Sequence, residues 1–327
     1  MLTDAFTPNA FRMQTLTASI ERAVYAPGRL QEVGLFTASG ITTLDAAIEY
    51  RNGVLSLVDV KPRGAPGKSI LAEKRDIHSF RVPHIPVSGA VLADEVQGVR
   101  AFGSETQAEV LQTRINNELE IMRRDLDYTI ESHRVSALKG LMYNANGGTT
   151  DLFTEFGVTQ ATQAMALTTA TTKVRVKITQ ALKKMEDALD GTRYSGARAF
   201  CGQLFWEELI DHPLVRDTYQ NTQMAASLRA NGLQEFDFGG VTWERYRGTS
   251  TVKIEDDDAY LVPVGVPDLF ITRFAPANYN ETVNTVGRPY YVKAEPMKFG
   301  KGYELEGQSN PLNICTRPGA IVKLTKV

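Results

Sequence analysis

The sequence predicts an α+β chain organised around one very long helix, and three observations lead there. Residues 104–143 carry apolar side chains at Leu111, Ile115, Leu119, Met122, Leu126, Ile130, Ala137 and Leu141, steps of three, four or seven that line one helical face. The segments 51–91 and 287–327 instead alternate, or break at Gly and Pro, in the manner of strands. Between the helix and the tail, residues 171–284 interleave helical and strand-like runs, as a compact α/β unit does.

The helix is expected to open at Ser104, with Gln107 three residues on in capping-box spacing. Gly140 weakens its last turns, and the turn chemistry of Asn144 to Gly148 ends it. At ~1.5 Å per residue, roughly 40 residues span about 60 Å, several times the usual globular helix. Such a strut is unusual in a compact enzyme domain.

Taken in order, residues 1–50 offer a helical rhythm only over Asn9 to Val24, and the remainder reads as extended chain lying across another surface, its own or a neighbour's. VLSLVDV, the turn RGAPGKS and SFRVPHIPVSGAV then form a long two-stranded loop, with Pro83 and Pro86 suited to an edge. After the glycine break, LFTEFGVTQATQAMALTTATT reads as strand and loop, and Lys173 to Leu189 as a second amphipathic helix stopped at Gly191. ARAFCG is a buried strand, QLFWEELIDHPL a short helix, EFDFGGVTWERY a hairpin around Gly239-Gly240, and AYLVPVG and DLFITRF further strands. The tail supplies three strand-like runs, PYYVKAEPMKFG, GYELEGQSN and AIVKLTKV, expected to return to the long helix.

Composition narrows the function classes. The 327 residues suffice for one large domain or two medium ones, and 43% hydrophobic with 23% charged residues is ordinary for a folded soluble protein. A net charge of -2 points to neither a nucleic-acid binder nor a disordered acidic tail, and lets many copies pack without strong repulsion. Cys201 and Cys315 form no metal or disulfide motif, so reduced thiols are expected. The opening MLTDAFTPNAF has no signal-peptide character and no apolar run approaches ~18 residues, so neither secretion nor membrane insertion is expected. Charge is unevenly placed, however. Residues 51–84 hold seven bases against three acids, while 104–131 hold seven acids against three bases, so the loop and the helix are candidate electrostatic partners.

No catalytic constellation emerges, and no cofactor or metal is assigned. Asp256-Asp257-Asp258 lacks calcium-loop spacing and reads as a solvated turn before a strand. His78, His84, His133 and His212 form no ligand pair and read as surface or core-edge residues. Arg63 to Ser69 ends in Gly-Lys-Ser, but Gly64 and Gly67 stand too close for a phosphate-binding loop. The loop also has Phe80 as its one aromatic, which is poor material for a nucleic-acid platform.

The order of arm, basic β-loop, very long helix, inserted α/β unit and returning tail resembles the major capsid proteins of tailed bacteriophages with the Hong Kong 97-like fold. The sequence is similar to the lambda-type major capsid protein E family, in the opening TLTASIERAVYAPGRLQEVGLFTASGITTLDAAIEY, the loop GVLSLVDVKPRGAPGKS, the bridge HIPVSGAVLADEVQGVRAFG and the close NPLNICTRPGAIVKL. The resemblance implies an N-terminal arm over 1–50, an extended loop over 51–95, a peripheral domain of 96–170 plus 285–327 with its spine helix at 104–143, and an axial domain over 171–284. It implies a structural, non-enzymatic subunit that forms hexamers and pentamers of an icosahedral shell around double-stranded DNA, contacted non-specifically. Assembly would take place in the host cytoplasm with a scaffolding protein, a protease, a portal and often a decoration protein, and without a membrane. On that footing the inter-subunit contact candidates are Arg63, Lys68, Lys74 and Arg75 on the loop and Glu109, Glu118, Glu120 and Asp125 on the helix. Two other classes compete: a cargo-enclosing bacterial nanocompartment of the same fold, told apart by packaged enzyme, and a metal-dependent hydrolase built on Asp256 to Asp258.

Overall fold

The structure, a computed structural model, describes residues 13–22, 28–51, 75–96, 107–220 and 235–327. The chain opens with helix α1 (Met13–Arg22) and the short α2 (Arg29–Glu32), followed by strands β1 (Thr37–Gly40), β2 (Asp45–Arg51), β3 (Arg75–Arg81) and β4 (Ile85–Leu92). After the single turn α3 (Ala93–Val96) comes the long helix α4 (Gln107–Leu138), then β5 (Leu141–Tyr143), β6 (Thr149–Asp151), the turn α5 (Leu152–Glu155) and β7 (Ala161–Ala164). Helix α6 (Val174–Leu189), β8 (Gly196–Cys201), α7 (Gln203–Asp211) and α8 (Pro213–Gln220) lead to β9 (Glu235–Phe238), β10 (Val241–Arg245), β11 (Asp258–Val264) and β12 (Phe270–Phe274). Strands β13 (Tyr291–Pro296), β14 (Gly302–Ser309), β15 (Pro311–Cys315) and β16 (Val322–Thr325) complete it.

Three apolar cores hold these elements, and α4 runs through two of them. Its first part lays Ile115, Leu119, Met122, Leu126 and Ile130 on the sheet ordered β13-β14-β4, together with Leu16 and Ile20 of α1 and Val91, Val292 and Leu305 of the sheet. Its last turns pass into a second core, where Val135 and Leu138 meet Ala46, Ile48 and Phe80 of the β2-β3 ribbon and Leu312 and Ile314 of β15. From Ile130 to Leu138 no side chain is fully exposed, because the helix is covered from more than one side there. Each apolar side chain fully buried along this line contributes about 1.5–3 kcal/mol. The third core belongs to the six-stranded sheet β7-β16-β11-β8-β10-β9, where α6 and α7 bring Val174, Ile178, Met185, Phe205 and Trp206 onto Ala199, Trp243, Leu261 and Leu324.

The expected stripe and the α6 helix are present, but α4 stops at Leu138, five residues before the expected end at 143. Gly140 is the reason. Its φ of +82° is left-handed, and a Cβ there would stand 2.1 Å from the Phe153 ring, so only glycine fits. The chain reverses at that point, and Leu141, expected on the stripe, begins β5 of a small antiparallel ribbon with β6 around Asn144–Gly148. Residues 101–106, with the expected cap at Ser104, lie outside the described residues.

The long loop is a ribbon of β2 and β3 in register from Asp45↔Arg81 to Arg51↔Arg75, and the expected strand VLSLVDV lies outside the described residues. Strand β4 does not continue the ribbon; it forms an edge of the β13-β14-β4 sheet, where Pro86 is tolerated because one side of an edge strand needs no hydrogen bond. The tail divides. β14 and the unanticipated β15 return to α4, whereas β16 enters the six-stranded sheet between β7 and β11. That sheet therefore takes β7 and β16 from outside 171–284 and β8 to β11 from within it.

What seats α1 is a buried cation. Arg123 of α4, 9% exposed, donates from Nη1 to the carbonyls of Ile20 (2.7 Å) and Glu21 (3.0 Å) in the last turn of α1. Its Nε donates to Asp127 Oδ2 at 3.0 Å, its guanidinium lies 4.2 Å from the Tyr290 ring centroid, and the Tyr290 hydroxyl donates to Asp127 Oδ1. A cation at a helix C-terminus meets orphaned carbonyls and the negative end of the helix dipole together. Arg123→Ala should cost about 3–5 kcal/mol in denaturant unfolding, because it leaves the buried Asp127 carboxylate uncompensated. Arg123→Ala/Asp127→Ala should recover part of that loss; an Arg123→Ala variant as stable as the parent would show that α1 is seated by apolar contacts alone.

Candidate assembly surfaces

Surfaces that hold copies of a chain together must be exposed in the single subunit, and the expected contact residues differ in how far they meet that condition. Arg63, Lys68 and Lys74 lie outside the described residues, and Arg75 opens β3 opposite Arg51 at the end of the ribbon. Glu109 lies in the first turn of α4. Glu118 is partly buried and pairs with Arg114 at 3.1 Å, and Arg114 also binds Glu95 at 3.0 Å. Glu120 and Asp125 are exposed, Asp125 beside Arg124 at 3.5 Å.

The outer face of α4 is therefore less acidic than its composition suggests. Asp127 and Glu131 were counted among its acids, yet both are buried and bonded within the subunit. Glu131, 5% exposed, accepts from the Leu30 backbone N–H (2.9 Å) and the Tyr246 hydroxyl (3.1 Å). Gly28 makes this possible, since a Cβ there would fall 2.2 Å from Glu131 Oε2. Next to it Arg29 reaches the buried Glu244 and, at 3.2 Å, Glu235; Arg198 binds the same two carboxylates. Residues 28–30 thus form a strap that ties α4 to β9 and β10 of the large sheet. Burial raises the pKa of Glu131, opposed by those two hydrogen bonds and the charge of Arg134. Burial alone pushes His133 down to about 4, so the ring stacked at 4.2 Å on Tyr143 is a neutral core residue, deeper than the core-edge placement expected.

A second acidic surface was not anticipated. On the face of β13-β14-β4 turned away from α4, Lys293, Glu306 and Ser88 stand in one row and Glu295, Glu304 and Ala90 in the next. These rows floor a concavity of about 800 Å³, walled by Tyr279 and Met297. Period-two alternation in GYELEGQ already put Glu304 and Glu306 on one face, and that signal was available in the sequence. In the Asp256 to Asp258 cluster, Asp256 and Asp257 are exposed turn residues before β11, as expected, and only Asp258 departs from that reading. Asp258 is buried at the start of β11 and pairs with Lys323 (2.7 Å), and Asp257 pairs with Lys326 (2.7 Å), so these carboxylates fasten β16 to the sheet.

A long helix crossing two cores, a β2-β3 ribbon packed on its last turns and a six-stranded sheet together make a Hong Kong 97-like capsid fold. A protein described as a prophage capsid protein from Escherichia coli CFT073 superposes with a TM-score of 0.62 over 96% of this chain and 99% of its own, at 13% identity. The phage major capsid protein E profile matches residues 12–326, and the chain belongs to that family. It is 29% identical over 340 residues to the major capsid protein of Pseudomonas phage KPP10, covering 96% of this chain and 97% of that one. To the major capsid protein of Salmonella phage Felix O1 it is 26% identical over 350 residues, covering 95% of each. Proteins of this family are the repeating subunits of phage shells, and this chain is a capsid component of a virion.

The raised pKa of Glu131 makes a signed prediction. The native state binds its proton more tightly than the unfolded chain, so stability is greatest below the ordinary value of 4.5 and falls as pH rises through the raised one. Glu131→Gln cannot ionise, and its melting temperature should gain on the parent's as pH rises above 4.5. His133 titrates alike in both proteins and cancels. A difference that stays constant over that range would show that Glu131 is not desolvated as described.

Proposed function

We propose that this chain assembles as hexamers and pentamers of an icosahedral shell that encloses double-stranded DNA, contacted non-specifically, and that it performs no catalytic step. The observation that carries this reading is the match of the phage major capsid protein E family along almost the whole chain, residues 12–326, joined to a capsid fold. In this proposal residues 1–50 are the arm, 51–95 the extended loop, 96–170 with 285–327 the peripheral domain and 171–284 the axial domain. Assembly proceeds in the host cytoplasm with a scaffolding protein and a portal, and a decoration protein is a further candidate partner. Repetition of one contact over many copies supplies the binding energy.

The basic loop of one subunit, with Arg63, Lys68, Lys74 and Arg75, is proposed to lie on the outer face of a neighbour's α4. Support comes from the exposure of Glu120 and Asp125 on that face and from the ribbon that presents the loop's ends. Glu118, engaged with Arg114, and Glu109 are secondary members. Reversal of the four bases to Glu should leave the circular-dichroism melt of the subunit unchanged and abolish regular shells in negative-stain micrographs. Glu120→Lys/Asp125→Lys added to that variant should restore them. Normal shells from the four-base variant would overturn the loop contact, and their diameter and DNA content, measured on the parent particle, test the wider reading.

A further inference from the structure

The hairpin of β13 and β14 ends in a turn that pairs an exposed aromatic ring with two cations. Phe299 is 95% exposed there and adopts φ 64°, ψ 17°, a left-handed conformation that a bulky side chain rarely takes. Lys298 and Lys301 flank it, and among the described residues neither forms an ion pair. A solvent-facing phenylalanine held in a disfavoured backbone state, between two unpaired cations, contributes nothing to the core of its own subunit. It has the composition of an interface anchor.

The surface beside it has the complementary composition. Glu295 and Glu304 face each other directly across the two strands, a like-charge cross-strand pair that is unfavourable in isolation, and among the described residues neither has a cationic partner. Lys293, one row along, is already committed to Glu281 at 3.0 Å. Tyr279 and Met297 wall the concavity above these carboxylates with an aromatic ring and a thioether, both of which receive a phenyl group well. Phe299 is 95% exposed, so the hollow of its own subunit does not hold the ring.

We infer that the Lys298-Phe299-Gly300-Lys301 turn of one subunit docks in the concavity floored by Glu295, Glu304 and Glu306 on the next copy of the same chain. Phe299 enters between Tyr279 and Met297, and the two lysines neutralise the Glu295/Glu304 pair. Met297 lines the hollow and Lys298 opens the knob, so both belong to one hairpin and a second copy can present its knob to the hollow of the first. It rests on the shell reading and is separate from the loop contact on α4.

The test is charge exchange in the full-length protein, under conditions where the parent forms shells. Lys298→Glu/Lys301→Glu and Glu295→Lys/Glu304→Lys should each reduce shell yield about tenfold or more, and the two pairs combined should restore it. Phe299→Ser should lower the yield without lowering the melting temperature, since the ring supports nothing within the subunit. In a Phe299→Cys/Glu304→Cys variant, mild oxidation of assembled particles should give cross-linked dimers or longer chains on a non-reducing gel; Cys201 and Cys315 are buried and give no background. Parental shell yields from both reversed pairs, or cross-linking that stops at the monomer, would overturn the inference and leave the turn to a partner of different sequence. A parent that formed no shells at all would instead overturn the reading on which it rests.

Discussion

A charge removed from water must be met by an opposite charge or by hydrogen bonds, and among the described residues α4 carries four such groups, Arg134 and three spaced four apart. Arg123, Asp127 and Glu131 occupy successive turns of the helix, and their partners come from distant parts of the chain: the last turn of α1, the strap at Gly28 to Leu30, Tyr246 and Tyr290. Apolar contact would let α1 slide along the helix, since one Leu is much like another. A guanidinium bonded to two particular carbonyls gives it one position. The same holds for the strap, where Glu131 accepts one backbone N–H and fills the space that a side chain at residue 28 would need.

This polar spacing explains how one helix serves two cores. The apolar groups of α4 that face the β13-β14-β4 sheet end at Ile130, and those that face the ribbon and β15 begin at Val135. Glu131, His133 and Arg134 fall at the change-over, where the helix leaves one surface for the other. A helix lying on a single sheet would have no use for buried polar groups at that point.

Much of the fold was legible because its elements obey simple periods. The stripe from Ile115 to Ala137, the helix ending at Leu189 and the Gly239-Gly240 hairpin all follow from spacing and turn chemistry. What was not legible depends on partners remote in sequence. α4 ends at Leu138 because Phe153 packs over Gly140, a contact no local pattern announces. β15 is buried at every residue and so lacks the alternation that marks a strand with one wet face. Periodicity places polar residues outside by default, which is why Asp127 and Glu131 were credited to the surface and the face of α4 looked more acidic than it is. The acidic concavity on the opposite side of the sheet carried a readable alternation, but Glu295 joins Glu304 only through pairing of β13 with β14.

The position of β16 bears on when a subunit becomes usable. This strand is translated after every other element described, yet it lies inside the six-stranded sheet, bonded to β11 on one side and forming the pairing of β7 with the sheet on the other. Until it arrives, β7 and β11 expose unpaired edges, and Asp257 and Asp258 lack Lys326 and Lys323. A chain without β16 therefore lacks the strand that joins β7 to the rest of its largest sheet. β7 is joined to the large sheet through β16 alone, so the order in which the strands pair, and not only their number, decides when that sheet is whole.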